Sequence, residues 1–376
     1  MLSFWEKNSF LHYDILIVGA GINGLSAACA IKEKYPEKSV LILERGSWPL
    51  GASTRNAGFA CFGSFSEIRE DINQNGLDKA LQLIEWRVKG LDIHKKRLSP
   101  EKMGYKATGG GEILFDDESF EEEEMEIMNQ HLNPILNADV FKSDKSKVSE
   151  YGFNPKGINQ FITNSCEGQV DSGLLMYNLW QYTARLGVII MNGMEVLDFN
   201  DTGKNCEIIA KHNLLKETPK FTCQTLIFST NAFSKQFFPT LDVVPGRGQI
   251  LATKPIPGLK FEGIFHFRQG YYYFRNYGNR IIFGGGRNEN IRGETTTEIG
   301  LNDDIQNSLD DYLKTLIIPE SDYEIDCRWA GIMAFGKNKL PIIERVSPNV
   351  IAGVRMGGMG VALSGITAER IAEMVD

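Results

Sequence analysis

Residues 14–45, DILIVGAGINGLSAACAIKEKYPEKSVLILER, constrain this chain more than any other segment: they carry a strand, a glycine-rich turn, a helix and a second strand in unbroken order. The apolar run 14–18 reads as a short buried strand, 25–34 as a helix and 40–43 as a second strand. Between the first strand and the helix, Gly19, Gly21 and Gly24 spell GxGxxG. There the first glycine permits the tight turn, the second lets the backbone approach a pyrophosphate, and the third lets helix and strand pack closely. The helix N-terminus offers unpaired N–H groups to phosphates. Glu44 ends the second strand 20 residues after Gly24, where a carboxylate accepts hydrogen bonds from both ribose hydroxyls of an adenosine and repels a 2′-phosphate. A lone GxGxxG is a weak signal, but this placement predicts a dinucleotide-binding βαβ unit for NAD or FAD.

After Arg45 comes GSWPLGASTRNAGFACFGS, a loop of small residues leading into a helix start. Ser53, Thr54 and Asn56 carry side chains able to donate to a pyrophosphate or a flavin edge, while Ala57 and Gly58 let the main chain lie flat against a planar ring. An ordinary Gly/Ser/Asn turn is the alternative reading of that loop. A third glycine-rich segment lies at the far end, VIAGVRMGGMGVALSGITAERIAEMV, where a strand over 350–354 runs through Gly357, Gly358 and Gly360 into a helix. GASTRNAGF resembles the second flavin-contacting segment of the D-amino-acid oxidase (DAO) family of FAD-dependent oxidoreductases, which includes glycine oxidase, sarcosine oxidase and γ-glutamylputrescine oxidase, and the third segment is similar to that family's C-terminal turn. The resemblance spans nearly the whole chain and implies FAD. It implies cofactor contacts at Gly19, Gly21, Ile22, Asn23, Gly24, Glu44 and Arg45 from the first motif and at Ser53, Thr54, Asn56, Ala57 and Gly58 from the second. It also implies that Gly358, Met359, Gly360, Val361 and Ala362 bring backbone N–H groups and a helix N-terminus to the flavin pyrimidine, stabilising negative charge on the reduced ring.

Composition sets bounds that agree. A chain of 376 residues with 42% hydrophobic content is long enough for two domains and a large core. A net charge of −8 lacks the basic footprint of a nucleic-acid binder. The six cysteines show neither CxxC pairs nor histidine spacing suited to zinc, so they read as reduced thiols and no metal is expected. The first 13 residues lack a signal-peptide pattern and no apolar run approaches the roughly twenty residues of a membrane span, so the expected compartment is the cytoplasm.

No repeat or low-complexity linker divides the chain, and the expected organisation is interleaved. A Rossmann-like FAD-binding domain is expected over 12–90, 146–234 and 325–376, with an antiparallel-sheet substrate domain over 91–145 and 235–324. Residues 77–98 read as a helix and 109–115 as a strand. The acidic run 121–124 reads as a solvated helix face rather than a docking surface. Residues 168–190 read as a loop, an amphipathic helix and a strand, after which the resemblance lays Val196 beside the adenine. A buried strand over 225–230 ends in Ser-Thr-Asn-Ala, similar to the Ala-Thr-Gly by which related flavoproteins close the nucleotide site; Thr230 is the contact implied, and Asn231 stands where glycine is usual.

From Pro245 the chain is strand-rich, and Asn276-Tyr277-Gly278-Asn279 signals a hairpin. On an extended strand Tyr271, Tyr273 and Arg275 share one face and Tyr272 and Phe274 the other, so one face of this sheet is expected to line the ligand. CRWAGIMAFGKNKLPIIE at 327–344 resembles the strand and loop before the family's C-terminal turn. Glycine oxidase-like members place a carboxylate-clamping arginine where this chain has Met333. Sarcosine oxidase-like members place a lysine where Ala362 stands and attach the flavin through a cysteine where Gly331 stands, so the resemblance implies non-covalent FAD. The nearest branch by resemblance is the glycine/sarcosine oxidase and γ-glutamylputrescine oxidase-like one, with Cys61, Tyr271, Tyr273, Arg275, Trp329 and Met333 at the substrate.

The activity the resemblance implies is oxidation of an amine or amino-acid C–N bond by hydride transfer to flavin N5, giving an imine that water hydrolyses. Orientation and a dry pocket carry such a step, and no residue stands out as a catalytic acid or base. His266 reads as a structural histidine. Arg247, Arg275 and Arg287 are all candidates for holding a remote carboxylate. Some oxidases of the family place a lysine above the flavin where this chain has Ile282, so the acceptor is oxygen or a redox carrier. Two alternatives stand: a 2-hydroxy-acid or polyol-phosphate dehydrogenase, needing several cationic groups in the pocket, and a tRNA-modifying or partner-bound flavoprotein, needing a basic surface beside it.

Overall fold

The computed structural model describes residues 2–212 and 218–375. Its first long strand, His12–Val18, is buried over Ile15, Leu16, Ile17 and Val18, as expected of an unbroken apolar run covered on both faces. It pairs in parallel with Val40–Glu44 on one side and Lys220–Phe228 on the other. The sheet runs Ile342–Ser347, Val350–Val354, Lys220–Phe228, His12–Val18, Val40–Glu44, Ile189–Asn192, with Cys206–His212 and Met194–Asp201 joined antiparallel beyond Lys220–Phe228. The helix after the first strand is Ile22–Lys34, three residues earlier than its apolar pattern suggests, because Gly21 is extended and starts the helix directly from the glycine turn. Gly24 is required there: a Cβ on it would stand 2.0 Å from the Gly19 carbonyl oxygen.

Helices Leu77–Leu98 and Gly360–Glu373 cross where two glycines meet, since a Cβ on Gly90 would lie 1.9 Å from the Ala362 carbonyl oxygen and one on Gly365 would lie 2.3 Å from that of Gly90. That contact packs the long helix and the C-terminal helix backbone to backbone beside the first sheet.

The second sheet runs Ile325–Phe335, Val244–Thr253, Arg280–Gly285, Tyr272–Tyr277, Ile264–Phe267, Gly110–Phe115, Ile158–Asn164, Phe141–Ser143. It is antiparallel except where Ile264–Phe267 meets Gly110–Phe115. Strands Ile158–Asn164 and Ile325–Phe335, expected within the FAD-binding segments, pair into this sheet. Its core is a phenylalanine cluster including Phe153, Phe161, Phe265, Phe274 and Phe283. The hairpin turns at Gly278 and Asn279, with Tyr277 opposite Arg280. Tyr272 and Phe274 enter the core as the alternation requires. The acidic run forms the exposed first turn of helix Glu122–Leu136, where carboxylates meet the positive end of the helix dipole. The fold is thus a Rossmann-like sheet with an interleaved second sheet.

All six cysteines are free thiols. Among the described residues no helix is long and apolar enough to cross a membrane, and no cluster of His, Cys, Asp and Glu is placed to hold a metal.

Candidate active site

A cavity of about 580 Å³ runs from the C-terminal ends of the first sheet's parallel strands to the face of the second sheet. Where it meets the first sheet it is lined by Gly19, Gly21, Ile22, Asn23, Glu44, Arg45, Val196 and Thr230. Each carboxylate oxygen of Glu44 accepts a backbone N–H, Oε2 from Ala20 and Oε1 from Gly46, both at 2.9 Å. Ser53 Oγ accepts from Ile22 N at 2.9 Å, and a Cβ on Gly21 would press to 3.0 Å from that oxygen, so the first and second motifs meet at the helix start. Asn23 turns its amide inward and donates to Gly353 O at 2.8 Å and Ser229 Oγ at 3.2 Å, tying the helix to strand Val350–Val354 and to the end of Lys220–Phe228.

Asn231 takes the left-handed conformation, φ 48°, that asparagine tolerates better than most residues, which accounts for its place where glycine is usual. Its Oδ1 accepts from Arg355 N and Met356 N at 3.1 and 3.2 Å, and so anchors the start of the third glycine-rich segment. Gly358, Met359, Gly360, Val361 and Ala362 line the cavity together with Asn56 and Ala57. Asn56 shapes its own turn, accepting from Gly58 N at 2.9 Å and Ser172 Oγ at 2.7 Å.

Beneath the second sheet the lining includes Cys61, Tyr271, Tyr273 and Met333, with Cys61 Sγ 3.9 Å from Met359 Sδ. Five of the cofactor and substrate contacts named from the sequence do not border the cavity. Gly24 is packed against the turn. Thr54 donates its hydroxyl to Pro49 O at 2.6 Å. Gly58 lies against the Val170 carbonyl and the Arg275 guanidinium. Arg275 is buried behind the lining, giving Nη1 to Gln169 Oε1 at 2.7 Å, with burial pushing its pKa down to about 10. Trp329 spends its indole N–H on Arg55 O at 2.9 Å. Tyr271 precedes its strand and is 40% exposed, so only Tyr273 of the predicted strand face meets the cavity from within the sheet.

The three arginines separate by their partners. Arg247 forms a fork-to-fork pair with Glu294, both bonds at 2.8 Å, and Arg275 stands behind the lining. Arg287 lines the cavity, stacks its guanidinium on Phe335 at 4.4 Å, and keeps Nε buried without a hydrogen-bond partner, and burial depresses its pKa. Ile282 is not among the lining residues; the lysine that is, Lys339, comes from the loop before Ile342–Ser347.

Lys339 belongs to an ionic network the sequence did not reveal. Its Nζ lies 2.9 Å from Glu67 Oε1 and 2.8 Å from Asp71 Oδ1, and Arg87 Nη2 reaches the same Glu67 oxygen at 3.5 Å. Burial works to raise the Glu67 pKa, but Lys339 and Arg87 outweigh it and hold the carboxyl at about 2. Glu67, Glu70, Asp71 and Gln74 all line the cavity from helix Phe65–Asn75. Their i, i+3, i+4, i+7 spacing is visible in the sequence and marks one helix face, but the same spacing describes any solvated face. His266 also lines the cavity, buried, with neither ring nitrogen hydrogen-bonded and burial pushing its pKa down to about 4. The expectation of a satisfied structural histidine fails in that respect, because no polar group of the fold reaches the ring.

A family model described as DAO, FAD dependent oxidoreductase, matches residues 14–374. The probable oxidoreductase OrdL of Haemophilus influenzae is 26% identical over 387 residues, covering 97% of this chain and 83% of that protein. Glycine oxidase from Geobacillus kaustophilus superposes with a TM-score of 0.76 at 17% identity, covering 97% of this chain and 95% of that one. L-proline dehydrogenase from P. horikoshii gives a TM-score of 0.74 at 17% identity, covering 97% and 93%.

Proposed function

The chain belongs to the DAO family of FAD-dependent oxidoreductases, and from that premise we propose that it oxidises a C–N bond of an amine or amino acid, using non-covalent FAD, in the branch nearest glycine, sarcosine and γ-glutamylputrescine oxidases. The observation that carries the substrate class is the charge of the lining beneath the second sheet. Glu67, Glu70 and Asp71 border it, Lys339 is already shared between two of those carboxylates, Arg55 spends its guanidinium on the carbonyls of Leu50 and Ala330, and Arg287 stacks on Phe335 with its Nε unbonded. A phosphate or a nucleic acid calls for several converging cations. An acidic lining instead attracts a substrate that arrives as an ammonium ion.

The residues present fit the cofactor. Two helix N-termini, at Ile22 and Gly360, border the cavity uncapped by the side chains of their own N-cap residues, and Gly21 and Gly358 sit where added side-chain atoms would stand 3.0 Å from Ser53 Oγ and 3.3 Å from Met333 Sδ. Gly19, Gly21, Glu44, Ser53, Asn56, Val196, Thr230 and the 358–362 turn would hold FAD, which when bound supplies a two-electron acceptor. Thr54, Gly24 and Gly58 would act by shaping the turns that the others use. Tyr273, Met333 and Cys61 give the substrate a largely apolar wall that excludes water, and a desolvated wall favours the uncharged amine. Arg287 would hold a carboxylate where the substrate has one, its stacking on Phe335 fixing the fork. The Met333 thioether, in place of an arginine, leaves that role to Arg287.

The test is anaerobic bleaching of the flavin absorbance of the purified protein by a panel of amines, D- and L-amino acids and 2-hydroxy acids. Bleaching by amines or amino acids is expected, and readmitting air then tells oxygen from another acceptor. Bleaching by hydroxy acids alone, or a protein that binds no flavin, would overturn the reading.

A further inference from the structure

In the cavity lining, Glu67 is satisfied through one oxygen only. Oε1 takes both Lys339 and Arg87. Oε2 looks toward Gly270: a Cβ on that glycine would stand 3.5 Å from Glu67 Oε2 and 4.0 Å from His266 Nδ1, in otherwise open space. His266 is 8% exposed, both its ring nitrogens lack a partner, and Phe59 packs edge-on against it at 5.1 Å. A buried imidazole without hydrogen bonds is costly unless a ligand completes it. Three carboxylates, Glu67, Glu70 and Asp71, face two cations, Lys339 and Arg87, so one negative charge is left over beside an empty volume.

We propose that Glu67 Oε2 and His266 accept hydrogen bonds from a second, protonated nitrogen of the substrate, so that the enzyme takes compounds with two basic nitrogens, a diamine or a basic amino acid, and oxidises at the other one. The proposal rests on the C–N reading above. An ammonium carries three donors, and a neutral imidazole offers a lone pair to one of them while the carboxylate takes another. Glu67 stays ionised and His266 neutral through the physiological range. A carboxylate that stays charged favours the charged form of a nitrogen beside it. The nitrogen on the carbon being oxidised must be uncharged, so this subsite is wrong for that nitrogen and right for one that keeps its proton.

The experiment titrates the FAD-loaded protein under anaerobic conditions with n-alkylamines and α,ω-diaminoalkanes of three to six carbons, reading binding by calorimetry and flavin absorbance in the same samples. At the fitting chain length the diamine is expected to bind about tenfold more tightly than the monoamine, the worth of one charge-assisted hydrogen bond. His266→Phe and Glu67→Gln should each lower that ratio severalfold, and the double variant should bring it close to one. His266→Phe removes no ion pair, so it keeps the test sound if Glu67→Gln disturbs Lys339. Equal affinity for the two series in the unmodified protein, no diamine binding, or a ratio that survives both substitutions overturns the subsite. Failure of every amine and amino acid to bleach the flavin overturns the C–N reading instead, and the binding ratio still decides the subsite.

Discussion

Glu44 works twice at the end of its strand. Its oxygens hold the backbone of Ala20 and Gly46, and each keeps a lone pair for the cavity it lines. Glu44→Ala should therefore weaken FAD binding roughly 10- to 100-fold, the range expected when hydrogen bonds to a charged group are lost. Titrating the apoprotein with FAD and following flavin fluorescence checks this; unchanged affinity would remove Glu44 from the cofactor site. Arg287→Met should raise KM for amino acids by roughly tenfold while changing KM for amines without a carboxylate much less. Equal effects on both substrate types would mean that Arg287 holds no carboxylate. The first of these residues was legible in the sequence because its job is local: strand, turn, helix and acid lie within 14–45. The second was not, because Arg247, Arg275 and Arg287 are ranked by partners far along the chain. Glu294 lies 47 residues from Arg247, and Gln169 lies 106 residues from Arg275.

At the scale of elements, the turn between Ala60 and the helix Phe65–Asn75 is held by buried carboxylates. Glu167 accepts from Phe62 N at 2.8 Å and Gly63 N at 3.0 Å, and Glu112 accepts from Ser64 Oγ and Ser66 N, both at 2.9 Å. Burial pushes Glu112 up to about 7 and Glu167 up to about 8, against those hydrogen bonds. Both groups bind a proton more tightly folded than unfolded, so their stabilisation is complete below the ordinary carboxylate range and is lost as pH rises through 7 and 8. His94 and His266, with pKa values lowered by burial, act in the other direction and only below about 6.5. Between pH 6.5 and 8.5 the melting temperature should therefore fall, and the Glu112→Gln, Glu167→Gln double variant should flatten that fall; a slope that the double variant leaves intact would exclude these two groups. The Gly90 crossing is stricter. Gly90→Ala drives a Cβ into the Ala362 carbonyl and should cost about 3 kcal/mol or more, seen in denaturant unfolding; a neutral effect would show that the helices can part. Helix Leu77–Leu98 was read to its last residue because its apolar spacing is long and regular. Of helix Phe65–Asn75 only the start was read, because its body turns a polar face into a cavity, where the sequence pattern is the same as for solvent.

Across the whole molecule, charge and architecture act together. The chain carries a net charge of −8, and three carboxylates of one helix line its cavity, which Arg287, just after strand Arg280–Gly285, lines with its guanidinium stacked on Phe335. The glycine motifs at the two ends of the chain meet because Val350–Val354 and His12–Val18 flank the same strand, Lys220–Phe228, which brings both helix N-termini to one cavity. The sequence announced those motifs but not the acidic lining, since no local pattern says which helix face the second sheet will shelter. An acidic protein with an acidic cavity lining draws cations from solution by a long-range field, and salt screens that field within about 10 Å at 0.1 M. The second-order rate constant for anaerobic bleaching should accordingly fall with ionic strength, roughly three- to tenfold for a diamine between about 20 and about 300 mM salt, less for a monoamine, and least for a zwitterion. Stopped-flow bleaching at low substrate concentration measures it directly. The ordering matters more than the size: a diamine and a zwitterion with the same salt dependence would mean that the lining does not select by charge, and the acidic face of helix Phe65–Asn75 would then serve only to hold Lys339.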